Sequence, residues 1–181
     1  MTRLLLSLLV IAFFVLCAAG MRRGWRNRQR RQSHLPALPR PPRRHAAAPL
    51  LPPATGVYVG TTTAGDWQDR IAVGGIGLRS SVRMSLYPDG LLLDRTGATP
   101  LWIPADALVD ARTDRALAGK VMGTQGLLVV RWRLGDHADG HLLDTGVRGD
   151  DKDGYGEWID AVHELARRGA AKAGAQGGDD R

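Results

Sequence analysis

The sequence predicts a mainly β fold: a small barrel, or two orthogonal antiparallel sheets, with about seven strands. One C-terminal amphipathic helix caps it, and a single N-terminal transmembrane helix precedes it. Three observations lead to this prediction. An uncharged apolar run opens the chain, β-branched and alternating segments separated by glycine-containing turns fill its middle, and apolar residues recur at helical spacing in residues 153–171.

The transmembrane prediction, residues 1–21, rests on the run Leu4–Met21, 18 residues without a charge. A helix needs roughly 17–25 such residues to cross a bilayer. Six arginines follow within the next ten residues, whereas Arg3 is the only charged side chain on the other flank. The positive-inside rule therefore predicts a single-pass plasma-membrane protein with its C-terminal domain in the cytoplasm. A cleaved signal peptide is the alternative, because Cys17-Ala18-Ala19 resembles a cleavage site.

Residues 22–55 are predicted to form an arginine- and proline-rich juxtamembrane linker. Seven prolines between positions 36 and 53 disfavour a helix and favour an extended, semi-rigid chain. A solvated spacer is an interpretation compatible with lipid contact, and a PxxP site for a protein partner is a further alternative. The residues predicted to contact anionic lipid headgroups at the membrane surface are Arg22, Arg23, Trp25, Arg26, Arg28, Arg30 and Arg31.

The basic character of the chain belongs to its N-terminal third. Of the 25 Lys and Arg residues, ten precede residue 56, where no Asp or Glu occurs. The other 15 are set against all 18 acidic residues, so residues 56–181 carry a formal charge of −3. A nucleic-acid-binding domain has a basic face of its own, and we therefore expect no nucleic-acid partner.

The soluble domain, residues 56–171, is predicted to consist mostly of strands. Pro88-Asp89-Gly90 lies between two apolar segments and predicts a hairpin. Trp158, Ile159 and Val162 form one apolar stripe of the C-terminal helix, and the tail 172–181 is predicted to be disordered. The predicted strands are 57–63, 82–87, 91–94, 101–104, 107–111, 127–134 and 141–145, with another near Ile71 or Leu78.

This order of elements resembles a pleckstrin-homology-like (PH-like) domain. In that fold a terminal helix closes one corner between two sheets and often bears a tryptophan facing the core, the position that Trp158 would take. The whole chain also resembles a family of actinobacterial single-span membrane proteins with a PH-like domain, encoded among pyrimidine-biosynthesis genes. The similarity lies in the short span, the hairpin VRMSLYPDGLLL, the segment LWIPADALVDAR and the helix YGEWIDAVHELA. The resemblance implies a fold and a membrane location and brings no catalytic motif.

The residues predict no enzyme, no cofactor and no metal site. The single cysteine, Cys17, lies in the apolar run, so no thiolate supports metal binding by His137 and His141, which flank a polar turn. Asp94 begins a turn after a hairpin strand. No GxGxxG, Walker or GxSxG motif occurs in the chain.

The predicted function is a non-enzymatic, membrane-tethered interaction module that binds a protein or peptide at the inner face of the plasma membrane. Its candidate partner surface is the loop 64–80 with the adjacent strand edges, and Arg79 and Arg83 are expected to share one strand face. The residues of this surface are Trp67, Arg70, Ile76, Arg79 and Arg83. Two alternatives stay open: an anionic-lipid-binding module that uses Arg70, Arg79 and Arg83 with the linker arginines, and an accessory subunit of a membrane transporter or complex.

Overall fold

The computed structural model describes residues 2–31, 35–42, 47–118, 120–121, 126–135 and 140–176. The chain divides into two compact units, Met1–His34 and Leu35–Arg181. The first unit is helical, and the second is a β domain with a C-terminal helix.

The first unit is helix α1, Thr2–Arg31. It contains the segment Leu6–Gly24, which is long and apolar enough to cross a membrane. The helix continues ten residues beyond Met21, where the predicted span ends, into the segment predicted as linker. Arginine and glutamine are good helix formers, and no proline occurs before Pro36. The last apolar residue therefore ends the hydrophobic run but not the helix.

The second unit contains nine strands in its described residues. Seven form one antiparallel sheet in the order β4-β3-β2-β1-β9-β8-β5, whereas β6 and β7 pair with each other. This confirms the predicted mainly β fold with about seven strands. The strands are β1 Ala54–Thr63, β2 Ser80–Tyr87, β3 Gly90–Arg95, β4 Leu101–Pro104, β5 Leu108–Asp114, β6 Ala116–Leu117, β7 Lys120–Val121, β8 Leu127–Leu134 and β9 His141–Gly149.

Two irregularities bend the sheet. The pairing of β1 with β9 shifts register between Tyr58 and Gly60, and Gly60 has a φ of 148°. The pairing of β5 with β8 shifts between Leu108 and Asp110. Bulges increase local twist and bend a strand, so one continuous sheet curves around a core.

The core lies on the inner face of this curved sheet. Trp132 and Tyr58 are among its largest fully buried side chains. Helix α2, Tyr155–Gln176, covers the core with Trp158 and Val162, and Trp158 is buried as predicted. Burying each such side chain contributes about 1.5–3 kcal/mol, so the apolar stripe is sufficient to dock the helix.

Helix α2 extends further than its sequence pattern predicted. Residues 172–176, assigned to a disordered tail, are helical because the alanine-rich segment continues the helix. Residues 177–181 of that predicted tail lie outside the described residues. A strand was predicted near Ile71 or Leu78, but the described residues between β1 and β2 form a loop without a strand. A single β-bridge joins Thr62 to Arg70 there.

A smaller apolar cluster lies on the opposite face of the sheet. On β8, Leu128 and Val130 join the main core, whereas Leu127 and Val129 join the second cluster. Leu117, from the β6–β7 hairpin, packs against this cluster. This hairpin was not predicted, because strands of only two residues leave no periodic pattern in the sequence.

Part of the predicted linker belongs to the domain. We call residues 35–42 and 47–53 the strap. Leu35, Leu38 and Leu51 are partly buried against the main core, and the Leu50 amide donates a hydrogen bond to the Leu86 carbonyl over 2.7 Å. The described residues of the strap form no helix or strand, and Leu35, Leu38 and Leu51 pack on the domain, whereas Leu50 is exposed. The folded domain therefore begins at Leu35, not at residue 56.

Candidate interaction site

A rigid turn displays a tryptophan at one end of the sheet. We call residues 64–70, which follow β1, the Trp67 turn. The Asp66 carboxylate accepts hydrogen bonds from the amides of Gln68 and Asp69 over 3.0 and 3.1 Å. The Thr63 amide and hydroxyl donate to the Asp69 carbonyl and carboxylate over 3.0 and 2.7 Å. These bonds fasten both sides of the turn, and Trp67 between them is 38% exposed.

The Trp67 turn lies beside the start of β9. The Ala64 amide donates a hydrogen bond to the Leu142 carbonyl over 2.9 Å, and the Leu142 side chain is also exposed. We call the sheet end formed by loop 64–79 and by Gly135 and Gly140 the loop end. Leu78, in the same loop, is 55% exposed. Three large apolar side chains are therefore exposed at the loop end.

Of the predicted surface residues, Ile76 is buried and Arg70 is only partly exposed. Ile76 is fully buried in the core, and its carbonyl accepts hydrogen bonds from Tyr58 Oη and the Thr61 amide over 2.6 and 3.0 Å. Arg70 is half-buried, and its guanidinium donates to the carbonyls of Gly77 and Ala118 over 2.8 and 2.5 Å. The guanidinium that was expected to face a partner or a lipid headgroup is therefore already hydrogen-bonded to backbone carbonyls.

The other two predicted arginines are exposed. The prediction that Arg79 and Arg83 share a strand face assumed that both lie in one strand. Arg79 instead precedes β2. Arg83 lies on the outer face of β2, opposite Asp94 of β3 and Thr55 of β1. An acid directly opposite partly neutralises a basic side chain on a sheet face. Asp94 therefore partly offsets the charge of Arg83 on this face of the sheet.

A buried arginine holds the loop end together. Arg95 is 3% exposed and donates from Nε and Nη2 to the Thr99 carbonyl over 3.0 and 2.5 Å. Its Nη1 donates to the Gly75 carbonyl over 2.9 Å, and its guanidinium lies 4.8 Å from the centre of the Tyr58 ring. The arginine thus ties the β3–β4 turn to loop 64–79. The alternation Leu91, Leu93, Arg95 along β3 was the available sequence signal for a core-facing arginine.

Tyr58 completes this internal arrangement. Its hydroxyl lies 2.7 Å from Thr61 Oγ1, in addition to its bond to the Ile76 carbonyl. Burial raises the pKa of Tyr58 to about 12, against the smaller lowering effects of the Thr61 hydrogen bond and of the Arg95 charge. The hydroxyl is therefore a neutral structural donor at physiological pH.

A second polar cluster lies on the outer face of the sheet. Asp144 is almost fully buried and accepts two hydrogen bonds from Arg131, over 2.8 and 2.9 Å, and one from Arg112 over 2.9 Å. Burial alone raises the pKa of Asp144, but the hydrogen bonds and charges of both arginines outweigh it and lower the pKa. This cluster joins β5, β8 and β9 and leaves the carboxylate charged, so its geometry indicates a structural ion pair.

A histidine links helix α2 to the edge strand β5. His163 Nε2 lies 2.8 Å from Asp110 Oδ1 and 3.2 Å from the Ala111 amide nitrogen, which donates to it. His141 is half-buried, and His137 lies outside the described residues. No three His, Cys, Asp or Glu side chains of the described residues are grouped so that they could hold a metal ion.

The predicted membrane-surface residues all belong to helix α1. Arg22 and Arg23 are exposed. The other five also continue the helix, but their side chains lie outside the described part of the structure; they are Trp25, Arg26, Arg28, Arg30 and Arg31. Their contact with lipid therefore stays a prediction.

The strand order and the terminal helix define a PH-like domain. β1 joins the β2-β3-β4 group to the β9-β8-β5 group, and helix α2 covers the core. A family model described as bacterial PH domain-like matches residues 35–163. The match covers 129 of the 181 residues and begins at the first residue of the strap, so the chain belongs to this family. No curated protein matches the sequence. PH-like domains are generally non-enzymatic interaction modules.

Proposed function

We propose that this protein is a membrane-tethered, non-enzymatic interaction module that binds a protein or peptide partner at the inner face of the plasma membrane. The observation that carries the proposal is Trp67, a large aromatic side chain that a hydrogen-bonded turn holds partly exposed, at 38%. Exposed aromatic side chains on rigid supports are typical anchors of protein interfaces, because little conformational entropy is lost on binding.

A protein partner fits this surface better than an anionic headgroup. Asp66 and Asp69 flank Trp67, while Arg70 is committed to backbone carbonyls. Anionic lipid recognition uses clustered Lys and Arg side chains, and here Arg79 is the exposed arginine of loop 64–79. Lipid contact is proposed instead for the arginine-rich end of helix α1, where the positive charge is concentrated.

The proposed location follows from the charges on the two sides of the apolar segment. The excess of arginines after Met21 favours a cytoplasmic domain. A C-terminal reporter that is active on one side of the membrane tests the orientation, and the intact mass of the protein tests cleavage near Ala19. We expect a cytoplasmic, uncleaved chain, whereas an exported or cleaved chain would place the partner in the cell envelope. The actinobacterial source and the link to pyrimidine biosynthesis are proposals that rest on the resemblance alone.

Lipid binding by the domain is tested with the fragment 35–181, which is one compact unit. Flotation with vesicles containing anionic lipid, at low and at physiological salt, measures binding without helix α1. We expect the fragment to stay with the unbound protein at physiological salt. Salt-sensitive flotation that Arg79→Gln and Arg83→Gln abolish would replace the protein partner with an anionic lipid.

An accessory role in a membrane complex is the second candidate, because helix α1 is apolar enough to span the membrane. Exchanging Leu6–Gly24 for an unrelated apolar helix distinguishes the two roles. A partner that remains bound after the exchange is held by the domain, and one that is lost is held by the span.

A further inference from the structure

The strap brings the start of the domain to the loop end. Leu38 packs so closely on loop 64–79 that an ideal Cβ at Gly74 would lie 2.5 Å from Leu38 Cδ1. Pro36 lies against Gly135, where the corresponding distance to Pro36 Cγ is 3.0 Å. Gly140 and Leu142 follow at the start of β9, and Leu142 accepts the hydrogen bond from the Trp67 turn. The chain therefore enters the domain at the end that displays Trp67.

Covalent geometry limits how far this end can lie from a bilayer. Three residues separate Arg31 from Leu35, so their Cα atoms are at most about 15 Å apart. The ten helical residues after Met21 rise about 15 Å. The connection between the end of the apolar run and Leu35 is therefore at most about 30 Å long.

The charges beside Trp67 indicate the chemistry of the partner. Asp66 is exposed and Asp69 half-buried, and both carboxylates are held in place by the turn. The Trp67 turn thus offers an apolar ring between two fixed negative charges, while Arg79 is the exposed arginine of the rest of loop 64–79. A complementary surface has an apolar contact flanked by Lys or Arg. Cytoplasmic segments next to transmembrane helices have an excess of these residues.

We infer that the Trp67 turn binds the basic juxtamembrane segment of another integral membrane protein. The inference rests on the proposed function and names the class of partner for the same site. Trp67 supplies the apolar contact, Asp66 and Asp69 supply the charge complementarity, and the short connection to helix α1 holds this surface within reach of segments at the bilayer. A soluble cytosolic partner would gain nothing from this restricted reach.

The experiment uses the full chain in its native membrane, with the photo-crosslinker p-benzoylphenylalanine placed at Trp67. Leu50 is the matched control position, because it is 44% exposed and lies near Leu86, away from the loop end. After illumination, carbonate extraction separates integral from peripheral proteins. We expect adducts from position 67, and not from position 50, with proteins that resist extraction.

Two variants test the reasons given for the site. Asp66→Asn removes a charge and keeps the side-chain oxygen that fastens the turn, so it should lower adduct yield several-fold while leaving thermal stability unchanged. A flexible insert of 20 Gly and Ser residues after residue 33 should lower the yield by about tenfold, because effective concentration falls with tether length. Unchanged yields in both variants would contradict the inference.

The remaining outcomes separate this inference from the proposed function. Adducts only with extractable proteins overturn the membrane-resident partner but leave a protein-binding module in place. Adducts only with lipid, equal adducts from positions 67 and 50, or no adduct at position 67 overturn both.

Discussion

Replacing Gly74 with alanine tests whether the strap belongs to the folded domain. The substitution adds a methyl group where an ideal Cβ lies 2.5 Å from Leu38 Cδ1. Gly75 is a matched control, because the two glycines have φ values of +65° and +69° but a Cβ at Gly75 meets nothing within 4 Å. The difference between Gly74→Ala and Gly75→Ala therefore isolates the contact with the strap.

The expected magnitude has two parts. Either substitution places alanine in the left-handed region of backbone conformation, which costs about 1–2 kcal/mol. Gly74→Ala must also displace Leu38, which is partly buried against the core. Complete burial of a leucine side chain contributes about 1.5–3 kcal/mol, so losing about half of it removes a further ~1 kcal/mol. Gly74→Ala should lower the free energy of unfolding by about 1 kcal/mol more than Gly75→Ala.

Urea unfolding of the full chain in detergent micelles measures this difference, with the fluorescence of the buried tryptophans as the signal. Repeating both substitutions in a Leu38→Ala background completes a double-mutant cycle. The difference should then disappear, giving a coupling of about 1 kcal/mol, which exceeds the ~0.3–0.5 kcal/mol scatter of independent sites. Equal losses for the two glycines with Leu38 present, or a difference that persists without it, would refute the strap contact.

Three further substitutions probe the buried polar groups and the exposed turn. Asp144→Asn should lower the free energy of unfolding at pH 7 by about 2–3 kcal/mol. The loss is smaller than for a fully buried ion pair, because the two arginines that bind Asp144 are about a third exposed. Folding lowers the pKa of Asp144, so the stability that the ionised carboxylate contributes is complete above about pH 4 and is lost as the pH falls through the folded-state pKa. Urea unfolding curves of the wild type and Asp144→Asn that remain different in acid would contradict this. Tyr58→Phe leaves the Ile76 carbonyl with one donor fewer and should lower the free energy of unfolding by about 1–2 kcal/mol. The 295 nm absorbance of Tyr58 should not titrate below about pH 12 while the domain is folded. Trp67→Ala should lower stability by no more than about 1–2 kcal/mol, because only part of the ring is covered, and a larger loss in thermal unfolding would show that Trp67 is chiefly a packing residue.

Local patterns were sufficient for most of the secondary structure. An uncharged run of 18 residues predicts a helix able to span a membrane, and a proline-aspartate-glycine turn between apolar segments predicts the β2–β3 hairpin. The stripe containing Trp158 predicts a helix docked on a core. Each of these depends on residues close in sequence, whose spacing alone determines which side chains share a face.

The candidate site depended on contacts between residues distant in sequence. No local pattern distinguishes Arg70, which bonds to the Ala118 carbonyl 48 positions away, from the exposed Arg79. Ile76 stands among glycines in a loop, and its hydrogen bonds with the Tyr58 hydroxyl and the Thr61 amide, made in the folded domain, show that the loop folds inward. The alternation along β3 indicates that Arg95 faces inward, but its partners lie in two different loops and no local pattern predicts them.

The sequence by itself determined the elements, the likeness to a PH-like fold, and the separation of a basic N-terminal segment from an acidic domain. Composition also indicated that the proline-rich segment is extended. Only the tertiary structure decided that this segment belongs to the domain. Leu38 packs against Gly74, where the φ of +65° and the absence of a side chain leave room for the leucine. That packing places the entry of the chain beside Trp67. Periodicity reports which face a residue occupies, whereas only the folded chain determines what covers that face.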